Sequence, residues 1–226
     1  MNTNRLFTMS MLILPLMALS CHGQRGNTTA QPNTNKVVGG QFENGDWLYK
    51  GQPQQLAAVD TSAGWPQQGQ KILITGVVYQ AGARKPAPGV VVYYYHTDTG
   101  GRYVHKPEIK RSMPPNEHGQ THGYIRGWVK TDAAGRYAIY TVKPGAYPDW
   151  SDPAHIHLTI KEPNDINEYY IDDIVFDDDP LVSASYRAKM ENRAGSGLVK
   201  LEQKGDLMAG ERDIYLGLNI PDYPDK

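Results

Sequence analysis

The chain has 226 residues, a formal net charge of −1 and a single cysteine. That length supports one domain with a proper core, and the near-neutral balance leaves no electrostatic footprint for nucleic acid and no polybasic patch for anionic lipid. One cysteine excludes an intramolecular disulfide and a cysteine-built structural zinc site.

The amino terminus reads as a targeting segment. Arg5 precedes an apolar run from Leu6 to Leu19 that is too short to span a bilayer. Residues 1–20 are therefore predicted to be a signal peptide. Cys21, directly after Ser20, is similar to the acylated cysteine of a bacterial lipoprotein, which implies an exported protein of the cell envelope held to the membrane by a lipid anchor only; plain secretion is the alternative. Residues 21–40 are polar and poor in apolar side chains, so they are predicted to be a flexible tether. The folded domain is expected over 41–226.

Residues 41–70 read as an extended arm with a short strand. Strands are then expected at 71–80, 90–98 and 102–106, followed by a loop of Pro, Gly and His. A hairpin-like pair follows at 127–132 and 136–142, with period-two patterning. Further strands are expected at 154–162 and 169–177, one helix of three turns over 183–193, and closing strands at 197–203 and 212–220. Many short strands with regular turn signals and little helix predict an all-β fold, a single β-sandwich with long loops. Fifteen tyrosines against three phenylalanines fit that reading.

The strand "AHIHLTIKE" (154–162) carries the first chemical signal. Side chains alternate in a strand, so His155 and His157 share one face and Ile156 takes the other. Two imidazoles roughly 7 Å apart along one face can converge on an ion or ligand, or can be an accident of an edge strand. A strand-and-turn grammar of this kind also suits a transthyretin-like or carboxypeptidase-regulatory-like module with no catalysis.

Four ordered pieces decide between these. "GRYVHK" (101–106), "VKTDAAGRYAIYTVKPGAYP" (129–148), "PAHIHLTI" (153–160) and "VFDDDPL" (175–181), with "RDIYL" (212–216), resemble the intradiol ring-cleavage dioxygenases, the family of protocatechuate 3,4- and catechol 1,2-dioxygenases. The resemblance covers residues 70 to 218 and implies a β-sandwich core. It further implies a non-haem Fe(III) ion held by Tyr103, Tyr147, His155 and His157, with Tyr147 and Tyr103 as the catalytic tyrosines. The implied reaction opens the ring of a catechol-type 1,2-diol between its hydroxyls, using O2, to a muconate-type dicarboxylic acid. Tyr147 would be the ligand displaced by substrate and Tyr103 the one retained. The donor chemistry agrees. A phenol titrates near ~10 in water, but a trivalent cation favours the phenolate, and two hard oxygen anions with two imidazoles suit iron better than a thiolate set would.

Two positions depart from the family pattern. Asp152 stands where an arginine is usual, three residues before His155, and Asp173 aligns with a position that is often glutamine. A carboxylate near an anionic substrate is unfavourable, with Arg102, Arg111 and Arg126 as candidate replacements for the missing cation. These departures motivate the alternative function, a non-catalytic envelope binding or structural module on the same sandwich. Among the other candidates, His118 and His122 lie in a loop broken by Pro and Gly, where they line a substrate mouth at most. His96 and His105 are expected to be satisfied polar groups, Tyr94 or Tyr95 to be core residues or pocket lining, and the run "FDDDP" (176–180) a solvated turn.

Overall fold

The computed structural model describes residues 37–41 and 44–224. The predicted signal peptide, Cys21 and most of the tether lie outside the described residues. The tether's last residues are packed. Val38 is buried in the core, donates its N–H to Asn167 Oδ1 at 3.0 Å and accepts from Asn167 Nδ2 at 3.0 Å. The folded body thus takes in residues that composition assigned to the tether.

The strands are β1 (Val59–Thr61), β2 (Lys71–Tyr79), β3 (Val91–Tyr95), β4 (Arg126–Lys130), β5 (Arg136–Val142), β6 (His155–Lys161) and β7 (Tyr169–Phe176), then α1 (Ala184–Lys189), β8 (Leu198–Val199), β9 (Glu202–Lys204), β10 (Leu207–Glu211) and β11 (Ile214–Tyr215). One sheet has the order β1-β5-β2-β10-β9, with β11 also on β2; the other has the order β4-β3-β6-β7-β8. Their inner faces meet in one core, with Ile72, Ile74 and Ile139 from the first sheet and Val92, Ile156, Leu158, Ile171 and Phe176 from the second. The expected all-β sandwich is the observed fold.

Local details differ from expectation for tertiary reasons. The predicted pair 127–132 and 136–142 is not a hairpin within one sheet. Its turn closes locally, Asp132 N–H donating to Arg136 O at 3.1 Å, but β4 then joins β3 while β5 joins β1 and β2. The arm before β1 enters between them: Lys130 N–H donates to Ala57 O and Ala138 N–H to Ala58 O, both at 2.8 Å. Residues 102–106 are loop rather than strand, because Asp98 Oδ1 accepts from the N–H groups of Gly100 and Arg102 and bends the chain. The helix is one and a half turns rather than three. Ser183 caps its start, and beyond Met190 the N–H groups of Asn192 and Arg193 bind the Asp172 carboxylate instead of continuing it. β10, which the sequence did not announce, follows the Gly205 turn and lies parallel to β2.

Candidate metal centre

The site is assembled from β6 and two loops. On β6, Ile156, Leu158 and Ile160 are fully buried in the core, so alternation sends His155 and His157 to the opposite face. The strand's entry is fixed by the acidic turn: Asp179 Oδ2 accepts from Ala154 N–H at 2.9 Å and its Oδ1 from Leu181 N–H at 2.9 Å. Asp179 is therefore a structural clamp within the run expected to be only solvated.

Tyr103 and Tyr147 come from loops that touch through glycine. Gly101 has φ +74°, and a Cβ there would lie 1.9 Å from Ala146 O. Gly145 is also closely placed, its Cβ position 2.6 Å from Thr99 O. Gly145 N–H donates to Asp98 O at 2.9 Å and Thr97 Oγ1 to Gly145 O at 2.8 Å. A side chain at either glycine would part the loops and with them the two tyrosines.

All four predicted donors converge. Tyr103 Oη lies 3.1 Å from Tyr147 Oη, Tyr147 Oη 3.2 Å from His155 Nε2, His155 Nε2 3.0 Å from His157 Nε2, and His157 Nε2 2.9 Å from Tyr103 Oη. The four atoms close a ring.

The ring's protonation tells what it fits. His155 Nδ1 lies 2.7 Å from Pro153 O, an acceptor only, so that nitrogen carries the proton. His157 Nδ1 faces Asp173 Oδ1 at 3.0 Å and Tyr170 Oη at 2.9 Å, so the carboxylate draws the proton to that nitrogen too. Both Nε2 atoms then present bare lone pairs to each other at 3.0 Å. The neutral Tyr147 and Tyr103 hydroxyls, 3.2 and 2.9 Å away, can donate to these lone pairs, and a cation at the centre of the ring would take the place of those protons. Donors at about 2.0–2.2 Å from a first-row metal and at right angles to one another would be about 3 Å apart, which is the spacing of this ring. The residues fit a metal ion of the hard-oxygen, imidazole-binding kind.

His155, His157 and Asp173 also form a cluster with candidate ligand atoms within 4.8 Å of one another. Asp173, however, sits behind His157 on its Nδ1 side, with Oδ1 engaged by that nitrogen and by Tyr170. It orients an imidazole rather than joining the ring.

Electrostatics point the same way. Burial raises the Tyr103 hydroxyl well above the usual phenol range, and the neighbouring Tyr147 adds to it. Burial also raises Tyr147, although its hydrogen bond with Tyr103 works against this. Burial lowers His155, and His157 beside it lowers it further. Burial works to raise Asp173, but attraction to His157 and the hydrogen bond with it outweigh that and hold the carboxylate ionised. Without a cation, burial therefore favours the neutral phenol at Tyr103 and Tyr147 and the neutral imidazole at His155. A bound cation reverses the balance for the phenols.

A cavity of about 740 Å³ opens over the ring, lined among others by Trp47, Tyr95, Arg102, Gln120 and His122 as well as Tyr103, Tyr147 and His157. Tyr95 stacks between His157 (centroids 4.4 Å apart) and His122 (3.4 Å), and His122 Nδ1 lies 2.7 Å from Tyr93 Oη. His122 thus lines the mouth, whereas the His118 side chain is 72% exposed and pairs with Glu117. Tyr95 faces the cavity and Tyr94 the core, where its hydroxyl donates to Asp60 at 2.7 Å. His96 and His105 are satisfied, His96 by Thr97 O and Thr141 Oγ1, His105 by Ser112 Oγ. Of the three arginines, Arg111 is paired with Asp60 at 2.9 Å and Arg126 is buried with Nη2 on Trp47 O at 2.7 Å. Only Arg102 reaches the cavity lining. Asp152 is exposed, accepts from Ser151 Oγ at 3.2 Å and is not among the residues of the cavity wall.

Fold and site together define a β-sandwich protein with a Tyr2His2 ring of candidate metal donors. Residues 44–206 match the family model described as Dioxygenase, and the chain belongs to the intradiol dioxygenase family. It is 33% identical over 126 residues to the protocatechuate 3,4-dioxygenase beta chain of Burkholderia cepacia, covering 51% of this chain and 48% of that one. The chain thus matches about half the length of that curated relative. The dioxygenase domain of a dioxygenase carbohydrate-binding protein fusion from Streptomyces sp. SirexAA-E has a TM-score of 0.50 at 23% identity, covering 73% of this chain and 88% of its own. An intradiol ring-cleavage dioxygenase from Tetranychus urticae has a TM-score of 0.50 at 17% identity, covering 77% and 92%. At these identities the two structures establish a shared fold.

Proposed function

We propose that this protein is a non-haem Fe(III) intradiol dioxygenase that opens a catechol-type 1,2-diol between its two hydroxyls. Tyr103, Tyr147, His155 and His157 would hold the iron. The observation that carries the reading is the closed ring of four donor atoms with edges of 2.9–3.2 Å. A ferric ion there supplies Lewis acidity toward the substrate's two phenolic oxygens. Both atoms of O2 enter the product dicarboxylic acid, so no external reductant is needed.

The chain's own residues divide the remaining work. Tyr147, at the cavity wall and in the loop before exposed Pro148, is the donor best placed to give way to substrate. Burial raises its hydroxyl, so its Oη, when free of the metal, would hold a proton taken from the substrate. Tyr103, in the loop held by the Gly101 contact, would stay on the metal as the retained phenolate. Tyr95 and His122 form an aromatic wall against which a flat ring can stack. Arg102 contributes positive charge at the rim, the side on which an anionic substituent would be favoured.

The family's usual arginine is replaced by Asp152, whose exposed carboxylate is not part of the cavity wall but is near enough that its charge works to raise both Tyr147 and His155, so the replacement removes a cation from the surroundings of the ring and adds an anion. We also propose export and lipid anchoring at Cys21, supported by Arg5, the apolar run 6–19 and the cysteine that follows. Among the described residues no helix is long and apolar enough to cross a membrane.

The test is the visible spectrum and oxygen uptake of iron-loaded protein. A burgundy protein from tyrosinate-to-Fe(III) charge transfer, consuming one O2 per catechol, is expected. A chain that stays colourless after anaerobic ferrous loading and reoxidation would sink the iron reading. A red protein inert to a panel of catechols would instead favour the non-catalytic module.

A further inference from the structure

The two histidines of the ring are supported by chemically different partners. His155 donates its Nδ1 proton to a neutral carbonyl, Pro153 O, at 2.7 Å. His157 donates to a carboxylate, Asp173 Oδ1, at 3.0 Å. The difference is built into the sheet. Between the pairs Ile156↔Ile174 and Leu158↔Ile171 the register shifts, so Asp172 and Asp173 of β7 oppose the single residue His157 of β6. A bulge adds a residue to one strand and re-aims its side chains. Before the bulge Tyr169 and Ile171 face the core, and after it Ile174 and Phe176 do. That change of parity brings both Tyr170 and Asp173 to the outer face, where both meet His157 Nδ1 and their own side chains are hydrogen-bonded to each other. The His157 and Asp173 side chains are only 16% and 23% exposed, so water screens their attraction weakly.

We propose that Asp173 is a positioning residue which, acting through His157, makes that imidazole the stronger of the two nitrogen donors and biases the centre toward Fe(III) over Fe(II). The inference rests on the iron reading above. A carboxylate behind a metal-bound imidazole fixes its tautomer and raises its basicity. Charge gives the same direction. Two phenolates and the Asp173 carboxylate bring three negative charges near the centre, which balance a 3+ ion and leave a 2+ ion over-compensated. Asp173 therefore departs from the family pattern in a way that acts on the metal rather than on the substrate. Tyr170 moderates it, since a hydroxyl donating to the same carboxylate oxygen draws charge away from His157.

The experiment uses the full chain loaded with iron, as wild type, Asp173→Asn and Tyr170→Phe, with the ferric/ferrous midpoint potential and the tyrosinate charge-transfer band as readouts. Asp173→Asn keeps the size and an acceptor oxygen but removes the charge. The preference for Fe(III) should fall about 10- to 100-fold, which is an upward shift of about 60 to 120 mV for one electron, and the band should move to longer wavelength. Tyr170→Phe should move both readouts the opposite way by less than a tenfold equivalent, because the carboxylate then acts on His157 alone. A purely structural role would not produce shifts of opposite sign. A red Asp173→Asn protein with wild-type potential and band overturns the proposal. If that variant fails to fold, an unchanged or raised potential in Tyr170→Phe overturns it. A wild-type chain that takes up no iron removes the centre itself, and this inference with it.

Discussion

His155 Nε2 and His157 Nε2 face each other at 3.0 Å while the other nitrogen of each ring is committed to an acceptor. In metal-free protein the Tyr147 and Tyr103 hydroxyls can donate to these two nitrogens, and a bound cation would replace those hydrogen bonds by coordination. Metal binding to the native state alone should therefore raise stability, by about 2.7 kcal/mol at a free concentration of ~100 Kd. Calorimetric melting with and without iron should show this for wild type and not for His157→Ala. An unchanged melting temperature on loading wild type would contradict the assignment.

Gly101 is predicted to be intolerant of any side chain. Its φ of +74° and the 1.9 Å approach to Ala146 O mean that Gly101→Ala must displace the loop carrying Tyr103 or the one carrying Tyr147. A loss of at least about 1–3 kcal/mol is expected, the range for strained backbone positions, together with a fall in iron affinity of tenfold or more. Denaturant titration and a chelator competition measure the two. Gly82, where an added Cβ meets nothing within 4 Å although φ is +66°, is the control for φ strain alone.

His96 should make the protein acid-sensitive. Burial pushes it down to about 4 from 6.5, against the opposing hydrogen bond to Thr97 O. The unfolded chain then binds more protons than the native one between these values. The stabilisation is complete above about pH 6.5 and declines as pH falls toward 4, amounting to about 3 kcal/mol if the whole shift is realised. His122 and His155, also lowered by burial, act with the same sign. Denaturant midpoints of metal-free protein should drop across this interval, and His96→Gln should flatten the slope. Equal midpoints at about pH 7 and about pH 4.5 would refute the argument.

Arg102 should set a preference among catechols. Among the described residues it is the one arginine, lysine or carboxylate on the cavity wall, and being exposed it contributes modestly, about 0.5–1 kcal/mol. Arg102→Gln is expected to lower kcat/KM for a carboxylate-bearing catechol by about 2- to 5-fold relative to unsubstituted catechol. A uniform loss on both substrates would instead assign Arg102 to loop structure.

Much of this centre was legible in the chain. The face shared by His155 and His157 follows from alternation, which each residue's own backbone imposes, and the buried Ile156, Leu158 and Ile160 bear it out. The all-β fold follows from strand-length apolar runs between turns. The motif order likewise marked Tyr103 and Tyr147 as candidates. Other features depended on partners distant in sequence. Asp179 sits in an ordinary acidic turn until it meets Ala154 N–H, 25 residues away. Asp173 looked like an unfavourable replacement until the bulge turned it onto His157, although the parity change within "YYIDDIVF" was a visible trace of that bulge. Strands β4 and β5 looked like a hairpin because a turn is local, while the sheet each joins depends on the arm that enters between them.

The chain by itself therefore determined which faces are apolar and which side chains are capable of binding a metal, because those properties are set within a few residues. Only the tertiary structure decided that four donors from separate loops and a strand meet around one point, and which of them has a carboxylate behind it. Those outcomes depend on contacts between separate segments, 44 residues apart for Tyr103 and Tyr147, where glycine permits the approach, and 16 apart for His157 and Asp173, where the bulge does.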